Sequence, residues 1–100
     1  MIRKTKIIAT IGPKTSSRPM LKKLILKGVN VCRLNFSHMS HERARETISI
    51  IKSINQELNT HTAILADLQG PKIRLGELEK PKKIRAGEEL ILTTRHSYKS

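Results

Sequence analysis

Hydrophobic and polar positions along the chain change period repeatedly, and each change marks an element. KIIATI, residues 6–11, is a short run rich in β-branched side chains closed by Gly12 and Pro13, which predicts a first strand. Met20, Leu21, Leu24 and Ile25 then recur at helical spacing while Lys22, Lys23 and Lys27 point elsewhere. Ser16 or Ser17 at the start, Pro19 in the first turn and Gly28 past the end bound this helix. VNVCRLN, residues 29–35, alternates: Val29, Val31, Arg33 and Asn35 take one face of a second strand, Asn30, Cys32 and Leu34 the other. A longer helix follows, capped by Ser40, with Glu42 near its positive end and a stripe through Ala44, Ile48, Ile51, Ile54 or Asn55, and Leu58. AILAD, residues 63–67, makes a third strand.

Strand, helix, strand, helix, strand is the pattern of parallel crossovers with right-handed connections. Beyond Arg74 the helical period disappears. Residues 89–94 and 82–85 read as strands separated by Ala86 and Gly87, and a domain boundary falls between residues 71 and 76. Gly-Pro-Lys occurs at residues 12–14 and again at 70–72, too short a match for a repeat.

Composition narrows the picture only in places. The hydrophobic share of 37% and charged share of 28% are those of a soluble globular chain, and 100 residues suit one small domain or a piece of a larger one. Twenty Lys and Arg against eight Asp and Glu give a formal charge of +12, attractive to phosphates, nucleic acid or acidic membranes. Most of these cations are dispersed and read as solvated faces. Cys32 is the single cysteine, so there is no internal disulfide framework; a buried, inert thiol in a reducing compartment is expected. No segment has the ~18 apolar residues of a membrane span, nor an apolar core like that of a signal peptide, and the expected location is the cytoplasm. Two aromatics, Phe36 and Tyr98, leave little for stacking bases.

Parallel strands bring their C-terminal ends to one face, where ligands bind in such sheets. Arg33, Asn35 and Ser37 share a side if the backbone stays extended through Phe36, and Asp67 adds a carboxylate on the neighbouring strand. Three oxygen-bearing side chains suit a hard cation, while Arg33 and Arg74 offer forks for a phosphate. Each residue has a plainer use: Ser37 or Asn35 as a helix cap, Asp67 as a turn cap, Arg33 in a strand-edge salt bridge. Together they favour an anion held beside a cation. His38 and His41 stand three apart without a second acid, and read as surface or helix-start imidazoles; neither common nucleotide-binding glycine fingerprint is present.

TKIIATIGPKTSS (5–17), NVCRLNFSHMSHE (30–42) and AILADLQGPKIRLGEL (63–78) resemble, in order and at fitting separations, the opening motifs of the pyruvate kinase family. The resemblance implies an α/β fold: the first three strands and two helices of a (β/α)8 TIM barrel in residues 1–72, then the start of a small inserted β-barrel domain in residues 73–100. It implies phosphoryl transfer from phosphoenolpyruvate to ADP, giving pyruvate and ATP in glycolysis, by a cytoplasmic homotetramer without nucleic-acid or membrane partners. Arg33 would contact phosphate; Asn35, His38 and Arg74 would lie along substrate or nucleotide. Asn35, Ser37, Asp67 and the backbone oxygen of Leu68 would hold the family's potassium ion, and the ligands of Mg2+ would lie mostly beyond Ser100.

The chain departs from the family pattern at Leu68 and Lys72, where potassium-dependent members usually carry threonine and glutamate. The Lys72 ammonium is therefore expected beside Asp67, replacing potassium and acting with Arg33 in catalysis. The family's catalytic lysine and acidic magnesium ligands belong to later strands, so these residues alone are expected to be inactive. A small basic nucleic-acid-binding module is the alternative, resting on the +12 charge alone.

Overall fold

The computed structural model describes residues 3–94. In it the chain runs β1 (Ile8–Ile11), α1 (Arg18–Leu26), β2 (Val31–Asn35), α2 (His41–Leu58) and β3 (Ala63–Asp67). The strands form one parallel sheet in the order β1-β2-β3. Residues 6, 7, 29 and 30, read from sequence as strand, lie just outside it. There Asn30 N and Val31 N donate to Ile7 O (3.0 and 3.1 Å), and Asn30 Oδ1 accepts from Ile7 N (2.9 Å).

Local chemistry fixes the ends of both helices. Ser17 precedes α1, but its hydroxyl caps nothing. Pro19, in the first turn, carries no N–H, so one of the donors a cap would satisfy is absent. At the other end Gly28 takes φ +101°, and Gly28 N and Val29 N donate to Ile25 O and Leu24 O, closing the last turn through a glycine that has left the right-handed region. In α2 the hydroxyl of Ser40 accepts from Arg43 N at 3.3 Å, and Asn59 ends the helix at φ 51°.

Asn55, left open between core stripe and surface by its position, is a polar latch. Its Oδ1 accepts from Thr60 Oγ1 (2.8 Å) and Thr62 N (3.1 Å), and its Nδ2 donates to Thr62 O (2.9 Å), tying the α2–β3 connection.

Both helices cover one face of the sheet. Ile11, Leu21, Ile25, Cys32, Leu34, Ala44, Ile51 and Ile54 form the core. Thr47 joins them because its hydroxyl is satisfied locally by Arg43 O at 2.8 Å. Burial also pushes the Cys32 thiol above its ordinary pKa, which suits the inert role read from sequence. The opposite face carries Ile8, Thr10, Val31, Arg33, Asn35, Ala63, Leu65 and Asp67 by the parity of the register. It has no covering layer among the described residues: Ile8 is 57% exposed.

Residues 68–94 are exposed throughout and form turns and bends only, so the strands read at 82–85 and 89–94 are not formed. The turn between them is present: Glu88 N donates to Arg85 O, Arg85 N donates to Glu88 Oε2, and Gly87 takes φ 83°. A lone hairpin without a packed face is marginal in water, which accounts for a turn without its ladder.

Candidate functional site

Register builds the site. Thr10 lies opposite Arg33 across β1 and β2, and Asn35 lies opposite Asp67 across β2 and β3. All four belong to the uncovered face, near the C-terminal ends of the strands. Arg33 reaches both neighbours. Its Nε donates to Asp67 Oδ2 at 3.0 Å, its Nη2 donates to the same oxygen, and its Nη1 donates to Thr10 Oγ1 at 3.0 Å. The guanidinium is thus slung across β2 between a carboxylate on one side and a hydroxyl on the other.

Asn35 ends its strand by turning the chain. Its Oδ1 accepts from Ser37 N at 3.1 Å and its carbonyl accepts from His38 N at 3.1 Å. The backbone therefore leaves the extended form at Phe36, and the pleat that was to align Ser37 with Arg33 and Asn35 stops at Asn35. An asparagine that captures the amide two residues on is the physical cause. Phe36 N donates to Asp67 O at 3.0 Å, which holds this turn against the end of β3.

Lys72 is not the cation at Asp67. It lies in the exposed segment after β3, where its backbone N–H donates to Gly70 O, and it forms no ion pair with Asp67. Gly70 takes φ 63° between β3 and Lys72, whereas Arg33 projects from the adjacent strand one pleat below Asp67. Leu68 is 74% exposed, and Arg74 lies in the same exposed segment without a partner among the described residues.

His38 and Asn35 line a cavity of about 240 Å³ between the ends of β1 and β2 and the start of α2, with Thr10, Gly12 and Arg43 also on its wall. His41 packs edge-on against Phe36, ring centres 5.8 Å apart, so its role is at the helix start. A cavity of about 290 Å³ lies at the opposite end of the strands, beside Gly28, Asn30, Thr60 and His61. There Asn30 Oδ1 accepts from Ile7 N and the Thr60 hydroxyl donates to Asn55 Oδ1.

Two of the side chains expected to hold a monovalent cation already have partners: Asp67 pairs with the Arg33 guanidinium through Oδ2, and Asn35 Oδ1 accepts from Ser37 N. No group of three or more His, Cys, Asp or Glu gathers for a divalent ion among the described residues.

Thr10 is the site residue that sequence reading missed. The signal was available: with parallel strands, equal parity relative to Arg33 marks the residue beside it on β1.

A parallel sheet covered by helices, with charged side chains at the carboxyl ends of its strands, defines the class: an α/β protein, a fold in which ligands bind at that edge. The chain belongs to the pyruvate kinase family: the model of the pyruvate kinase barrel domain matches residues 2–100. It is 48% identical over 95 residues to the pyruvate kinase of Chlamydia muridarum, covering 95% of this chain and 20% of that protein. Identity is 51% over 79 residues with the pyruvate kinase of Buchnera aphidicola subsp. Schizaphis graminum, covering 79% of this chain and 16% of that protein. With the cytosolic isozyme of Nicotiana tabacum it is 41% over 98 residues, covering 96% and 19%. The chain thus spans about one-fifth of the length of the Chlamydia relative. No helix among the described residues is long and apolar enough to cross a membrane.

Proposed function

We propose that this chain is the opening of a pyruvate kinase barrel and supplies one wall of the site that transfers a phosphoryl group from phosphoenolpyruvate to ADP. The observation that carries this is Arg33, fixed between Asp67 and Thr10 on the open face at the ligand-binding end of the sheet. Such transfer is chiefly positioning and neutralisation of oxyanions, work that a tethered guanidinium does. Arg33 binds the substrate phosphate. Asn35 and His38, on the wall of the adjoining cavity, lie along the nucleotide, with Arg74 brought in from the following segment.

The remaining strands of a (β/α)8 barrel would cover Ile8, Val31 and Leu65, and residues 73–100 would begin the inserted β domain. Magnesium would be held by residues outside these 100. The intact enzyme is read as a cytoplasmic homotetramer.

Potassium is not required in this reading. Its supports are Leu68 and Lys72, in place of threonine and glutamate, and an Asp67 carboxylate already paired with a fixed cation. Lys72 adds positive charge to the rim without touching Asp67, which repels an alkali ion rather than mimicking one.

Assay of the full-length protein tests both parts. Arg33→Lys, which loses the planar fork, is expected to lower kcat/KM for phosphoenolpyruvate roughly ten- to a hundredfold, the worth of a hydrogen bond to a charged group. Potassium is expected to do no more than an equal ionic strength of tetramethylammonium. Strong activation by potassium removes the second part, and unimpaired turnover by Arg33→Lys removes the first.

A further inference from the structure

We propose that Thr10 is a positioning residue: it aims the Arg33 guanidinium at the substrate's oxyanion by fixing the side of the fork that Asp67 leaves loose. The inference rests on the reading that Arg33 binds phosphate, and goes beyond it by naming what orients that arginine.

Both hydrogen bonds from Arg33 to Asp67 end on one oxygen, Oδ2. A single acceptor atom is a pivot, about which a planar guanidinium can still swing. The bond from Nη1 to Thr10 Oγ1, 3.0 Å long and on the far side of β2, supplies the second anchor. Two fixed points, on β1 and on β3, set the plane of the fork.

The donor count leaves room for a ligand. A guanidinium has five N–H groups, and three are engaged, so one remains on each terminal nitrogen. Those two nitrogens are the pair through which a phosphate or carboxylate is held by two parallel bonds. Arg33 is a third exposed, its side chain at 32%, so these donors are reachable. Thr10 suits the task because it is β-branched and stiff at χ1, and because its strand register places it level with Arg33. Its exposure also means that losing the hydroxyl leaves the core untouched.

The test compares Thr10→Val, Thr10→Ser and Arg33→Lys in the full-length protein. Thr10→Val keeps shape and strand propensity while removing the acceptor. The KM for phosphoenolpyruvate is expected to rise about fivefold, the loss of one ordinary hydrogen bond, with a smaller change in the KM for ADP. Thr10→Ser, which keeps the acceptor but not the branch, is expected to recover most of that loss, a rescue that a purely structural role for the methyl-bearing side chain would not give. Protection against heat unfolding by phosphoenolpyruvate provides an independent binding measure and, by the unliganded melting temperature, a check on folding. If Arg33→Lys loses affinity and Thr10→Val does not, Thr10 does not position the fork while the phosphate role of Arg33 stands. Failure of Thr10→Ser to rescue, or equal shifts for ADP and phosphoenolpyruvate, also overturns the inference. Unchanged affinity in both Thr10→Val and Arg33→Lys overturns the inference together with the reading beneath it.

Discussion

Gly28 shows how much one position can demand. At φ +101° it sits where an L side chain is strained, and Arg3 lies over it, Nη2 donating to Gly28 O at 2.7 Å. A Cβ there would run into the Arg3 guanidinium, so that contact must be given up as well. Gly28→Ala is expected to destabilise the chain by about 1–2 kcal/mol from the backbone alone, with the lost Arg3 contact added. In an Arg3→Ala background the same change should cost less, because only the dihedral strain remains; urea denaturation of the four proteins measures the coupling. Equal costs in both backgrounds would show that Arg3 is irrelevant to Gly28. Residues of this kind are legible in part. Gly28 was placed from the sequence as a helix terminator, but the arginine that rests on it comes from 25 positions away. Asp67 teaches the same lesson at the carboxyl ends of the strands. Parity put Arg33 and Asn35 on one face and the parallel order brought Asp67 beside them, whereas the departure from the family pattern at residues 68 and 72 suggested Lys72 as the partner; the register of adjacent parallel strands supplies Arg33 instead.

Among the elements, period and capping signals gave all three strands and both helices, because the strands are short and carry β-branched residues, and each helix carries one apolar stripe behind a serine. What they do not give is how the helices meet. Glu57 near the end of α2 receives Arg18 Nη2 at 2.8 Å and the Lys22 ammonium, while Arg18 Nη1 donates to Ser53 Oγ at 3.0 Å, so two cations of α1 clasp α2. Nothing in the spacing of either helix marks that clasp. The hydrogen bond from Lys22 is the main reason the Glu57 carboxyl ionises below its ordinary pH; Arg18 adds to it and desolvation opposes it. A depressed carboxylate pKa stabilises the fold above its unfolded value, and that contribution disappears as pH falls through the folded value. The difference in stability between parent and Glu57→Gln should therefore be present near neutrality and vanish at acid pH, below the carboxylate range. Because the pair is solvated, salt should shrink it too. Urea midpoints across pH would show this; a difference that persists or grows in acid would contradict the clasp.

Taken whole, the molecule has more surface than its mass warrants. Its accessible area is 9204 Å², where a folded monomer of its mass exposes about 5,700 Å². Among the described residues the excess has two sources: residues 68–94, exposed throughout, and the sheet face without a covering layer. On that face Ile8 and Leu65 are 57% and 39% exposed, and both β1 and β3 are edges with one side of their backbone unpaired. Unpaired edges beside apolar side chains recruit further strands. In a barrel of about 250 residues those strands come from the same chain; in their absence the nearest source is a second copy. The 100-residue chain expressed by itself is thus expected to self-associate with rising concentration and to show no turnover of phosphoenolpyruvate with ADP, since Arg33 has no facing groups with which to complete a site. Light scattering after size exclusion, with a coupled assay on each fraction, measures both. Lysine at Ile8 should reduce the association by charging the exposed edge strand without entering the core, which lies on the other face. A stable, active monomer would mean that these residues close on themselves in a way the open sheet does not permit.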